Sequence, residues 1–282
     1  MTDYTEYKKL YLLSFTDDTE EDAELLFKNV LSKANCVCEY DEKGSPIAML
    51  FLMDTNILIE NIPHPYYYLY AACTHPDYRG RGIMGRLLDK ARQEAIKNNK
   101  EGIFLKPANK SLFDFYAKYG FYPYFKIWKI NTSTEDFSKT FNKFQDSFAK
   151  TTLEDWQVVR KSFLSLLSDG YVDFSKEILT TAADGSIPIK SENFGFVYEM
   201  RETTLLVKEA LCKKEYINQL FNAISNVAIK NKATDLEIRL PVTLKGQIPG
   251  FSNLIQDFSV IWFAEKELKK NLINPYHGFA FD

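Results

Sequence analysis

Apolar residues recur at helical intervals from position 4 to 15, and Asp17, Asp18 and Thr19 mark a second helix start with acids in its first turn. The period then shortens to two. Positions 35–40 and 47–53 read as an antiparallel pair of strands around the turn glycine Gly44, with 57–60 extending the second strand. Tyr66 to Cys73 has strand composition, whereas Ile83, Leu87, Leu88, Ala91, Ala95 and Ile96 return to helical spacing. A strand at 103–105, a helix at 111–118 and a strand at 121–130 follow. Positions 131–147 are polar and weakly periodic. Beyond them the pattern predicts a helix at 153–167, another after Val172, strands at 194–200 and 204–212, a helix at 216–230, and strands at 235–240 and 259–264. Strand, strand, helix, strand thus occurs in both halves, and the chain reads as α/β (α+β) with a mixed, mostly antiparallel sheet.

The densest local signal lies between the aromatic strand and its helix, in Thr74-His75-Pro76-Asp77-Tyr78-Arg79-Gly80-Arg81-Gly82-Ile83-Met84-Gly85. Three glycines at a helix start let the backbone turn tightly and present N–H groups to a ligand, and Arg79 and Arg81 add positive charge. The stretch is an anion cradle, suited to a pyrophosphate. Gly80, Gly82 and Gly85 satisfy the G-x-G-x-x-G pattern of a nicotinamide or flavin site. The context disfavours it: Pro76 to Arg79 separate the strand from the glycines, and the next strand ends in Lys106-Pro107 with no carboxylate for a ribose.

Arg79, Gly80, Arg81, Gly82 and Ile83 closely resemble the acyl-CoA loop of the GNAT N-acetyltransferases, with Met84 and then Gly85 where the pattern has a single small residue. Asn109 and the run Phe115-Tyr116-Ala117-Lys118-Tyr119-Gly120-Phe121 resemble a second segment of that family. The pair resembles in particular tandem GNAT proteins of the enhanced-intracellular-survival type. The resemblance implies a GNAT domain at 1–131, a linker at 132–148 and a degenerate GNAT-like domain at 149–282. Only Lys213, Lys214 and Glu215 separate Cys212 from Tyr216, so the second unit should have no cradle.

Composition narrows the partners. A chain of 282 residues with a net charge of −3 has no basic face for nucleic acid, which is not expected as a partner. No apolar run is long enough to cross a membrane and the start has no signal-peptide pattern, so the cytoplasm is the expected location and no membrane partner is expected. Cys36, Cys38, Cys73 and Cys212 lack C-x-x-C spacing and the three histidines are dispersed, so neither disulfide nor metal is expected. A homo-oligomer stays open.

The resemblance also implies roles. Backbone groups of Ala72, Cys73 and Thr74 would pair with the pantetheine arm of acetyl-CoA and polarise its carbonyl. The N–H groups from Gly80 to Gly85 would hold the pyrophosphate, and Asn109 would anchor the loop or the cosubstrate. Tyr116 would protonate the leaving thiolate, with core packing as its alternative. The first half shows no clear base. Related tandem proteins bring a C-terminal carboxylate into the site, which makes Asp282 the candidate, against the alternative that the last segment merely closes a core. The expected function is acetyl transfer to a small-molecule or protein amine. A CoA-binding sensing module and a nicotinamide-binding oxidoreductase domain are the competing classes.

Overall fold

A computed structural model of the chain describes residues 4–142, 148–247, 254–265, 272 and 274–278. Helix α1 (Thr5–Leu12) leads to α2 (Glu20–Asn29), which starts where Thr19 and Asp22 form a reciprocal capping box. Strand β1 (Asn35–Tyr40) then pairs with β2 (Pro46–Ile59), and Glu60 and Asn61, both at positive φ, turn the chain into β3 (Ile62–Thr74). The apolar run of β2 is buried on both faces. Met49, Phe51 and Met53 join α1 and α2 in one core, while Ala48, Leu50 and Leu52 join a second core on the opposite face. That second core is closed by α3 (Ile83–Lys97), β4 (Gly102–Leu105) and α4 (Lys110–Ala117).

Strand β5 (Tyr122–Ser133) runs directly into α5 (Thr134–Thr140), N-capped by the Ser133 hydroxyl. The 132–148 stretch, expected as a polar linker, is thus packed where it is described. Phe137 and Phe141 are buried against Phe221, and their spacing of four puts both rings on one face of the turn. The second half contains β6 (Ala149–Lys150), α6 (Leu153–Leu167), β7 (Gly170–Asp173), α7 (Lys176–Ala182), β8 (Ile187–Lys190), β9 (Phe194–Arg201) and β10 (Thr204–Cys212). It continues with α8 (Ile217–Lys230), β11 (Asp235–Pro241), β12 (Leu254–Phe263) and β13 (Pro275–Tyr276). As β2 and β3 are antiparallel and β3 and β4 parallel, so β9 and β10 are antiparallel and β10 and β11 parallel. The expected echo is therefore a repeat of topology. A single 3₁₀ turn at Lys214–Tyr216 joins β10 to α8, without a glycine loop.

The strands form one sheet in the order β13-β7-β2-β3-β4-β12-β5-β11-β10-β9-β8-β6, with β1 on β2. Here the structure corrects an expectation. The last long strand, read as closing the second unit, begins at Leu254 and lies between β4 and β5, antiparallel to both. β4 uses one edge for β3 and needs a partner for the other; the apolar Val260, Ile261 and Trp262 supply it. Strand β7 likewise pairs with the far end of β2, so the two halves share a sheet at two places.

The segment around β13 is anchored in the core. His277 is buried among Tyr68, Phe104, Phe125 and Phe174, with ring centroids 5.1 to 5.6 Å away, and its Nδ1 lies 2.6 Å from the Ser259 hydroxyl. Burial, reinforced by the positive charges of Lys106 and Arg160, pushes its pKa down to about 3. The native state thus keeps His277 neutral while the unfolded chain would protonate near pH 6.5. Stability from this group is present above pH 6.5 and lost as the pH falls toward 3. By linkage the loss between pH 7 and pH 5 is about 2 kcal/mol. Denaturant titrations at the two pH values should show that decrement in the wild type and a smaller one in His277→Gln; equal decrements would contradict it.

Candidate active site

The site is organised by a defect in β3. Opposite Leu50 of β2, β3 carries one extra residue, because Met49 pairs with Cys73 but Phe51 with Tyr70. Ala71 accommodates the bulge at φ 52°, the left-handed region that a non-glycine residue rarely occupies. The bulge shifts the facing of the strand: Tyr66, Tyr68 and Ala71 join the first core, Tyr67, Leu69 and Ala72 the second. On the other edge the parallel ladder with β4 covers only Tyr66 to Tyr68 against Gly102 to Phe104. From Leu69 onward β3 keeps β2 but has no β4, so its backbone groups on that edge face a cavity instead.

That cavity measures about 940 Å³. Leu69 to Ala72 form one wall, and Leu105 to Asn109 with Leu112, Phe113 and Tyr116 of α4 form the facing one. Its remaining lining comes from Lys110 and Asp114 of α4, from the α1–α2 loop, Ser14 to Asp18, and from Pro123, Lys129, Arg239 and the stretch Gln256 to Phe258. Residues of the second half therefore complete it.

Beyond Thr74, a 3₁₀ turn at Pro76–Tyr78 leads into the glycine loop. Gly80 has φ 75° and Gly82, the N-cap of α3, has φ 70°; both are exposed, and here glycine is required by the backbone. No side chain caps α3, and its first main-chain bond runs from Arg86 N to Gly82 O. The N–H groups of Ile83, Met84 and Gly85 thus have no acceptor within the helix and sit at the positive end of its dipole. Arg79 Nε donates to Thr74 O at 3.0 Å and Arg81 Nη2 to Asp77 O at 2.9 Å, with the Arg81 guanidinium 4.9 Å from the Tyr78 ring centre. These arginines brace the loop. Gly85 has a packing role: a Cβ there would meet the Tyr119 hydroxyl at 2.3 Å, so the glycine brings α3 against the residues that follow α4.

Tyr116 lines the cavity, buried between Phe115 and Phe121 with ring centroids 5.3 and 5.7 Å away. Burial pushes its phenol up to about 12, well above the value expected of an unperturbed tyrosine. Asn109 N-caps α4, its Oδ1 accepting from Leu112 N at 3.3 Å and from the Ser111 hydroxyl at 2.7 Å, and it also borders the cavity. Ala72 reaches the cavity, whereas Cys73 is buried and Thr74 half-buried at the strand end. Asp282 lies outside the described residues. Position-by-position reading missed the carboxylates of the α1–α2 loop and the charges on β5, β11 and β12. Strand alternation signals the latter, since Glu237 and Arg239 interrupt Leu236, Ile238 and Leu240, but only the tertiary fold brings them to the cavity.

Residues 1–124 match the family model described as "Acetyltransferase (GNAT) domain". That similarity to a GNAT acetyltransferase domain lies in the first half of the chain. No curated protein matches it. Among solved structures it is similar to a probable N-acyltransferase from Enterococcus faecalis, at TM-score 0.74 and 14% identity over 93% of this chain and 70% of that one. It is similar also to Eis1 from Mycobacterium abscessus, at TM-score 0.66 and 10% identity over 94% and 73%. A tandem GNAT protein from the clavulanic acid biosynthesis pathway gives TM-score 0.56 and 11% identity over 92% and 94%. These likenesses concern the fold.

The roles of Gly82 and Gly85 separate by substitution. Gly82→Asp should cost about 1–2 kcal/mol of backbone strain at φ 70° but leave the chain folded, because a Cβ there meets nothing closer than Arg86 Nη1 at 3.9 Å, and its carboxylate should abolish acetyl-CoA binding in calorimetry. Gly85→Ala should instead lower the melting temperature by disturbing the contact with Tyr119. Unchanged affinity in a folded Gly82→Asp protein would remove the cradle from the site.

Proposed function

We propose that the protein is an N-acetyltransferase that carries acetyl from acetyl-CoA to a primary amine, with the chemistry in 1–131 and 149–282 acting as a degenerate companion unit. The observation that carries this reading is the convergence of the β3 edge at Ala71 and Ala72, the Tyr116 phenol and the α1–α2 loop on one cavity. The glycine loop offers exposed positive-φ backbone and the uncapped N–H groups of Ile83, Met84 and Gly85, and these residue types fit a pyrophosphate.

Acetyl-CoA supplies an acyl carbon activated as a thioester. The chain's own residues do the rest. Main-chain groups of Ala72, Cys73 and Thr74, relieved of β4, hold the donor arm and stabilise negative charge developing on the carbonyl oxygen. The amine nitrogen bonds to the acyl carbon, the carbon–sulfur bond breaks, and Tyr116 gives its proton to the sulfur. The proton leaving the amine needs a carboxylate. Asp282 remains a proposed acceptor on the sequence alone; among the described residues Asp18 borders the cavity and already accepts a hydrogen bond from the Tyr11 hydroxyl.

Release of free CoA thiol from acetyl-CoA in the presence of an amine panel tests the assignment. Tyr116→Phe should lower turnover by about 10²- to 10⁴-fold with acetyl-CoA affinity retained. Because the phenol is pushed up to about 12, it stays protonated through pH 10, and no alkaline loss of rate should trace to it below that pH. A Tyr116→Phe protein as active as the wild type would overturn the role. Tight acetyl-CoA binding without turnover on any amine would favour the sensing module.

A further inference from the structure

Tyr11 ties the α1–α2 loop to β3 where the open edge begins. Its ring is fully buried on α1, stacked on Phe15 at 4.4 Å between centroids and edge-on to Phe27 of α2 at 5.8 Å. The loop folds back over it: Ser14 N and Phe15 N both donate to Tyr11 O at 2.9 Å, and Asp18 N donates to Phe15 O at 3.3 Å. The Tyr11 hydroxyl donates to Asp18 Oδ2 and lies 3.5 Å from the Tyr70 hydroxyl. Tyr70 stands directly before Ala71, beyond the last residue of β3 that pairs with β4. One hydroxyl thus spans from the loop carboxylate to the strand whose edge is proposed to take the donor. Burial first, then Tyr70 and the Asp18 carboxylate, push the Tyr11 phenol far up, so the hydroxyl keeps its proton.

Four carboxylates line the cavity, and they differ in what holds them. Asp17 and Asp114 are exposed, and among the described residues no hydrogen bond fixes either side chain. Asp257 is committed to Lys106 at 2.5 Å and to Lys129 at 2.9 Å. Asp18 is half-buried and held through Oδ2, which leaves Oδ1 without a partner among the described residues. It combines a fixed position with an open acceptor oxygen. Tyr11 itself is not among the cavity-lining residues, so it acts through Asp18.

We infer that Asp18 accepts the proton leaving the amine and that Tyr11 is its positioning residue, holding the carboxylate beside Tyr70. The inference rests on the acyl-transfer reading and deepens it. The nitrogen bonds to the acyl carbon and its surplus proton passes to Asp18 Oδ1, while the carbon–sulfur bond breaks with its electron pair going to sulfur, which Tyr116 protonates. Asp18 then gives its proton to water and Tyr116 regains one from it. A donor fixed on Oδ2 restrains the carboxylate, so its free oxygen stays aimed at the reacting nitrogen.

The test uses the full-length protein, acetyl-CoA and a panel of cadaverine, ethanolamine, phenethylamine and a lysine-containing peptide, following the amine that the wild type acetylates fastest. Asp18→Asn should lower kcat about 10²- to 10⁴-fold, the scale of a lost general base, with acetyl-CoA affinity unchanged. Tyr11→Phe keeps the ring stack and removes the hydroxyl. It should lower kcat about 10-fold, the scale of a lost hydrogen bond to a charged group, again without change in acetyl-CoA affinity. In the Asp18→Asn background the same substitution should lower kcat no further, a coupling that disturbed core packing alone would not produce. Wild-type kcat in Asp18→Asn, additive losses in the double variant, or parallel loss of acetyl-CoA binding and turnover in Tyr11→Phe would overturn the inference. A wild type that binds no acetyl-CoA or acetylates none of the panel would instead overturn the acyl-transfer reading.

Discussion

Past Tyr68 and Phe104, β3 and β4 stop hydrogen-bonding, and the rest of the site depends on that break. A strand edge deprived of its neighbour is costly to keep dry and hazardous to expose, because its main-chain donors and acceptors still require partners. Here the β2 ladder holds β3 through to Thr74, and apolar cores grip both of its faces, so the edge stays rigid without β4. The left-handed Ala71 is part of this arrangement. Its backbone strain, on the order of 1–3 kcal/mol, is sustained by the packing around it and turns Ala72 toward the cavity. A bulge in β10 between Val207 and Glu209 marks the same place in the second repeat, but there Arg160 and Glu209 pair in a fully buried contact and no glycine loop follows.

The second half does more than repeat the first. By inserting β12 between β4 and β5 it supplies the edge partner that β4 lacks and carries Asp257 to the cavity floor; β11 adds Arg239 through its ladder with β5. β7 lengthens the sheet on the β2 side. Asp257 of β12 pairs there with Lys129 of β5 and with Lys106 just past β4, so the geometry of these contacts depends on the shared sheet.

Local elements were legible in the sequence because local rules govern them. The pattern gives the α6 range to the residue, the acids place the start of α2 near Asp17, Asp18 or Thr19, of which Thr19 is the cap, and Gly80 and Gly82 stand where a tight turn requires positive φ. Non-local pairing was not legible. The apolar pattern of β12 identifies a strand but does not state which edges it joins, and a strand at 259–264 could as well close its own half. The four-residue β7 and β8 are too short for a periodic signal. Tyr116 was recognised as a tyrosine in a motif, but its raised pKa comes from burial that only the packed α4 creates. Gly85 carries the pattern of a phosphate glycine yet is buried against Tyr119, a contact set by the approach of α3 to the chain after α4.

The central claim is that one interrupted strand edge and one glycine loop, both in the first half, receive the donor. Amide hydrogen exchange with and without acetyl-CoA tests it most directly, because it reads main-chain groups one segment at a time. The account predicts slowed exchange at Ala72 to Thr74 and at Gly80 to Arg86, with exchange across 204–217 unchanged. Protection at the β10–α8 junction, or its absence from the β3 edge and the α3 start, would contradict it.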